Sequence, residues 1–191
     1  MRLVTLHARA RRAGEIGWGL LGVAVACWAL ASFVQDTGAL VQVLGPLAVV
    51  SLLGFGLGGD DPALERTMPQ RWARWRAAEL SVCAIAAAVA LAPALLQADQ
   101  HALAALRNLA GLGGLTALGA VALGARLAWL APTAWAFTGS AVGPRAEDWL
   151  AALTWPAEAA DATSALVLAA LLAVIGAVLH MRHGSRVIPL S

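Results

Sequence analysis

Long uncharged runs alternate with short charged ones along this chain: Ile16–Gln35, Thr37–Gly59, Leu80–Ala98, Asn108–Ala125, Leu127–Pro144 and Ala162–Met181 hold no Asp, Glu, Lys or Arg. A helix rises 1.5 Å per residue and a bilayer's hydrocarbon core is ~30 Å thick, so about 20 apolar residues can cross it. The pattern predicts an all-α polytopic membrane protein with six transmembrane helices, over 15–35, 39–58, 79–98, 106–125, 127–143 and 162–181, in one transmembrane domain spanning 1–191. Asn108–Gly143 is read as two helices turning at Arg126, because as a single helix it would extend ~54 Å.

Three segments outside the spans carry their own signals. Residues 1–14 set Leu3, Val4 and Leu6 among Arg2, Arg9, Arg11 and Arg12. That suits either a short amphipathic helix on the inner leaflet or a basic tail that only sets topology. The connection 59–78 holds two helix starts: Asp61 before Pro62, and a capping box from Thr67 to Gln70. Its second piece, Gln70–Glu79, interleaves Arg71, Arg74 and Arg76 with Trp72 and Trp75, an interfacial composition, and runs into the third span. The connection 144–161 holds Trp149, Leu150, Leu153, Trp155 and Pro156 between Glu147, Asp148, Glu158 and Asp161. It is apolar but too short to span, so it either re-enters the outer leaflet or lies on the surface with its tryptophans as anchors.

Composition agrees, with 60% of residues apolar and 13% charged, about half the charged share of a globular protein. Charge then orients the chain. All 13 basic residues are Arg, and with a cytoplasmic amino terminus eleven fall inside, against Arg107 and Arg145 outside. Arginine near the membrane tends to stay cytoplasmic, which predicts a multi-pass plasma-membrane protein with both termini inside. Because the arginines sit at membrane boundaries and form no continuous face, a nucleic-acid partner is not expected. The first run is as long as a full span and lacks a cleavage site, so it reads as a retained helix and not as a secretory signal. Cys27 and Cys83, each inside an apolar run, read as small hydrophobes.

No chemistry-bearing constellation stands out. There is no phosphate-binding loop, no metal-ligand spacing and no mid-span acid, so neither enzymatic activity nor a cofactor or metal is expected. Ser140 and His180 are predicted near opposite faces, too far apart for a nucleophile and its base. Glycines 111, 113, 114, 119 and 124, with alanines between them, allow close helix contact through pairs such as Gly113/Ala117 and Ala120/Gly124. Pro46, Pro93 and Pro132 are expected to kink their spans. Arg107, beside Asn108 at the outer edge of the fourth span, has two readings. It reaches out to head groups, or it turns inward toward an outer carboxylate such as Asp148 or Asp161 or toward an anionic substrate, which makes Arg107 and Asn108 candidates for a pathway.

The order of parts resembles the permease subunits of type 2 ABC exporters: a basic amino-terminal segment, two spans, a helical inner loop, three spans, an apolar outer loop and a last span. The stretches Asp61-Pro-Ala-Leu-Glu-Arg66 and Arg107-Asn-Leu-Ala-Gly-Leu112 look like actinobacterial members in a general way. The resemblance implies a coupling helix at Asp61–Arg66, with Pro62, Leu64 and Glu65 inside it and Arg71 and Arg74 behind it, that docks on a cytoplasmic ATPase. It also implies re-entrant helices over Glu147–Ala157, including Trp149, Leu153, Trp155 and Pro156. The implied partners are the ATPase, a second permease subunit of the same or a sister kind, and membrane lipid. Two other readings stay open: a substrate-capturing subunit of a vitamin importer, against which the Arg-rich inner loop argues, and a scaffold or regulator without transport activity.

Overall fold

The computed structural model describes residues 13–33, 38–58, 69–97, 101–142 and 154–186. They form six α-helices, α1 Ala13–Phe33, α2 Gly38–Gly56, α3 Pro69–Leu95, α4 Ala102–Leu123, α5 Leu130–Val142 and α6 Thr163–His183, with 3-10 turns at Ala125–Leu127 and Trp155–Ala157. No strand occurs among the described residues. The predicted coupling residues Asp61, Pro62, Leu64, Glu65 and Arg66, the segment 1–12, and Trp149 and Leu153 lie outside the described residues.

Four helical stretches, Gly14–Phe33, Ala73–Leu95, Ala102–Leu123 and Thr163–His183, are long and apolar enough to cross a membrane. The apolar part of α2, Val41–Gly56, is shorter, and α5, with 13 residues, would extend only ~20 Å. By contrast α3, with 27 residues, reaches ~40 Å, about 10 Å more than a hydrocarbon core. Its first turns hold Arg71, Arg74 and Arg76, and the exposed Trp75 follows Arg74, so the excess length is the amphipathic part.

Pairwise contacts fix the direction of each helix. Ile16 meets Gly56, Gly19 meets Leu52 and Cys27 meets Gly45, so α1 and α2 run antiparallel. Asn108 bonds to Gln42, Gly113 faces Val50 and Gly54 touches Thr116, so α2 and α4 run parallel. Gly111 lies against Ala169 and Gly114 against Leu172 and Gly176, so α4 and α6 run parallel as well. The start of α3 meets the end of α6, where Arg76 Nη1 donates to the Met181 carbonyl (3.4 Å). A tight turn reverses the chain between α4 and α5: Gly124 adopts φ 84° and Gly119 packs on the Ala128 carbonyl.

The helices therefore alternate in direction. Ala13 and Arg186 come to the same end, linked through Ile16–Gly56, Gly58–Ala125 and the Arg186 amide to the Ala120 carbonyl (2.9 Å). We call this the arginine end, because Arg71, Arg74, Arg76, Arg126, Arg182 and Arg186 lie there. The opposite, turn end holds the Trp155–Ala157 turn and, among the described residues, Arg107 as its only arginine.

The core follows from small residues. At the α4–α6 crossing no room exists for a side chain: a Cβ on Gly114 would meet the Leu172 carbonyl, and one on Gly176 the Gly114 carbonyl. In lipid, where packing supplies the attraction, such backbone approach joins helices closely. A second apolar cluster packs Cys27, Val41, Val49, Ala87, Ala90, Leu91 and Ala94 between α1, α2 and α3. Pro46 is buried within α2, whereas Pro132 is the third residue of α5, where the helix has no N–H bond to lose. The expectation of a kink at Pro132 is corrected on that ground.

Candidate functional site

The densest polar cluster among the described residues is built from two helices, α2 and α4, and one turn. Thr154 and Trp155–Ala157 form a turn with proline in its opening positions, and Glu158, in an extended conformation (ψ 155°), ends it. So short a turn makes few bonds of its own: the Glu158 amide reaches the Trp155 carbonyl at 3.4 Å. The Ala159 carbonyl takes the Ala162 amide at 3.2 Å, so Trp155 and Ala159 each keep one free lone pair, whereas the carbonyls of Pro156 and Glu158 depend on side-chain donors. A buried carbonyl without a donor costs on the order of 2–7 kcal/mol, so irregular backbone inside the protein survives only when other groups cap it.

Arg107 and Asn108, in the second turn of α4, and Gln42, in the first turns of α2, provide that cap. Arg107 donates from Nη1 to the Ala159 carbonyl (2.7 Å) and from Nη2 to those of Trp155 and Glu158 (2.9 Å each). Asn108 Nδ2 donates to the Pro156 carbonyl (2.7 Å) and to that of Gln42 (3.0 Å). Gln42 Nε2 donates to the carbonyls of Pro156 (3.2 Å) and Glu158 (3.0 Å). Because its nitrogen faces carbonyls, its Oε1 must accept, and His101 Nδ1, 3.2 Å away, carries the proton. Asn108 Oδ1 completes the set by accepting from Arg107 Nε and Nη2 (3.3 Å each).

The planar guanidinium suits this role, since its five N–H groups lie in one fork that can serve several acceptors at once. Its charge is balanced by Glu158, whose carboxylate accepts from the Thr154 hydroxyl at 2.8 Å. Gln42, Arg107, Asn108, Thr154 and Glu158 are all buried, and Trp155 is wholly so. The Trp155 ring fills the notch that Gly111 leaves on α4, where any Cβ would collide with it. It closes the apolar cluster of Val43, Leu47, Leu112, Leu115, Ala136, Ala165 and Ala169.

Four candidate residues from the sequence thus meet here: Arg107, Asn108, Trp155 and Pro156. Arg107 turns inward, and its partners are backbone carbonyls instead of Asp161, which is exposed. Arg74 is exposed near the start of α3, and with Arg71 it belongs to the arginine end, remote from this cluster. Gln42, His101 and Thr154 are members that sequence reasoning missed. Gln42 was the findable one, as the single amide inside the second apolar run. Among the described residues no group of His, Cys, Asp and Glu could hold a metal ion. In the comparisons with known proteins no family model matches the chain, and neither a curated protein nor a solved structure matches it.

Proposed function

We propose that the chain is the transmembrane permease subunit of an ABC transporter working as an exporter. Its helices form the substrate path, and separate cytoplasmic ATPase subunits drive it in partnership with a second permease subunit. The reading takes all six helices as membrane spans, with α2 and α5 tilted or flanked by further residues, the arginine end in the cytoplasm and the turn end outside. The observation that carries it is the alternation of six helices with six described arginines at one end and, at the other, only Arg107, buried as it is. Such an asymmetry orients a polytopic protein.

The α2–α3 connection leaves from the arginine end, where α3 also extends beyond membrane thickness. Asp61–Arg66 falls within that connection, with Arg71 and Arg74 following on α3. A loop needed only to join two helices could be a few residues long, so this one is assigned to ATPase docking. Exchanging both charges, Glu65→Arg with Arg66→Glu, should release the ATPase and abolish transport-coupled hydrolysis while expression and the helical bundle stay intact. Pull-down of the ATPase from native membranes and ATP turnover of the reconstituted complex measure this. Retention of both at parent levels removes the loop from the mechanism, and absence of any ATPase partner refutes the permease reading.

A further inference from the structure

We propose that the Thr154–Ala159 turn is a detachable closure at the turn end, and that Arg107 is its catch. The turn is braced internally by the Thr154–Glu158 and Glu158–Trp155 bonds, so it can move as one piece. Its polar attachments to the helices include six donations from three side chains, Arg107 to three carbonyls, Asn108 to one and Gln42 to two, beside the Ala162 amide on the Ala159 carbonyl. The single large apolar attachment is the Trp155 ring seated over Gly111.

This composition decides how the turn behaves. A plug seated by apolar packing alone would lose its whole burial energy on lifting. Here, lifting toward the membrane surface exchanges protein hydrogen bonds for bonds to water, an exchange of small net free energy per bond. The cation follows the same rule, because an exposed guanidinium and four exposed carbonyls are all hydrated. Seated, however, the same groups are buried, and removing Arg107 strips three carbonyls of one of their two donors and leaves Glu158 without its counter-charge. For its polar groups the turn therefore has two satisfied states, fully seated and fully lifted, with poorly satisfied ones between, and burial of the Trp155 ring favours the seated one. A buried polar set of this kind acts as a two-position catch. The inference stands on the geometry of the turn end and goes beyond the permease reading, which can fail without affecting it.

Thiol reactivity tests it in detergent-solubilised protein with Cys27→Ala and Cys83→Ala, where reagent reaches both ends. Ala165→Cys reports on the cluster beneath Trp155, and Ala120→Cys, equally buried but at the arginine end, is the control. With the catch intact, position 165 should react with a bulky maleimide about tenfold faster than position 120, because it opens whenever the turn lifts. Arg107→Ala should speed position 165 by about a further tenfold, the effect of one lost hydrogen-bonding unit, and leave position 120 alone. Free guanidinium at millimolar concentration should slow position 165 again by refilling the carbonyl ring, whereas equal sodium chloride should not. If Arg107→Ala does not fold, Gln42→Leu, which removes two of the six donations, should raise the rate at 165 severalfold. Equal rates at the two positions, an acceleration shared by both, or no response to either substitution overturns the proposal.

Discussion

The contact between α4 and α6 gives the most quantitative test of how this bundle is held together, through two adjacent glycines in different surroundings. A Cβ on Gly114 would meet the Leu172 carbonyl and lie 2.6 Å from the Ala173 amide nitrogen, whereas ordinary contact begins at 3.4 Å. Gly114→Ala therefore forces the helices apart by about 0.8 Å or more, and overpacking of that kind costs ~1–3 kcal/mol. Both obstacles are backbone, so no side-chain rotation relieves the clash. The usual scaling for a chain of this size converts that cost into a fall in Tm of roughly 2–12 °C. A Cβ on Gly113 would have Val50 Cγ1 at 3.8 Å as its nearest neighbour, so it fits. Alanine also favours the helix over glycine by up to ~1 kcal/mol, which makes Gly113→Ala neutral or stabilising. Thermal unfolding of the two purified variants, followed by tryptophan emission, decides the matter. Equal Tm values would refute the claim that backbone-to-backbone approach at Gly114 joins α4 to α6.

Three further outcomes are expected. Gly184→Ala should lower the unfolding free energy by ~1–2 kcal/mol, since φ 68° favours glycine and the new Cβ would displace the Arg76 guanidinium 2.5–3.0 Å away; urea titration in mild detergent measures it. Asn108→Leu should cost ~1–3 kcal/mol by removing a buried donor from the turn carbonyls while keeping similar volume, and a loss below 0.5 kcal/mol would show that Gln42 alone caps Pro156. In sealed vesicles, Ser185→Cys and Arg126→Cys should be labelled by an impermeant reagent from one side and Asp161→Cys from the other; labelling of positions 185 and 161 from the same side would show that α6 does not cross and would refute six spans.

Helix existence was legible because each uncharged run is both long and bounded by charge, and four of the resulting helices are long and apolar enough to cross a bilayer. Helix ends were less legible. The third helix begins at Pro69, ten residues before the predicted span at 79, because amphipathic Gln70–Glu79 continues the same helix beyond the apolar stretch. Which glycines matter was hidden too. Spacing by four suggested Gly113/Ala117 and Ala120/Gly124, yet close approach occurs at Gly111, Gly114 and Gly119, and Gly124 ends the helix at φ 84°. A glycine-rich helix offers small residues on several faces, and only the partner decides which face is used. The polar clamp was half legible: Arg107 and Asn108 stood out as a charged and an amide residue at the edge of a span. Their partners are backbone carbonyls, which every residue has and which no sequence pattern marks.

The clamp also changes how the arginine asymmetry should be counted. Arginine orients a membrane protein when its charge remains free to resist translocation and to face the inner leaflet. Arg107 departs from the rule by position, at the turn end, but its guanidinium is buried, spread over three carbonyls and Asn108, and offset by Glu158. Its charge is thus an internal component of the fold, comparable to a buried ion held by backbone dipoles, and adds no basic surface to that end. The remaining described arginines all sit at the opposite end, where Arg74, Arg126, Arg182 and Arg186 are exposed. Arg107→Gln should for this reason leave the orientation of the chain unchanged while weakening the seat of the turn. Moving a free arginine to the turn end, as in Asp161→Arg, acts on the opposite quantity and should produce a fraction of inverted molecules with the clamp intact. Impermeant labelling at position 185 separates the two effects: inversion caused by Arg107→Gln, or none caused by Asp161→Arg together with Arg126→Ala and Arg182→Ala, would show that the buried charge is what orients the protein.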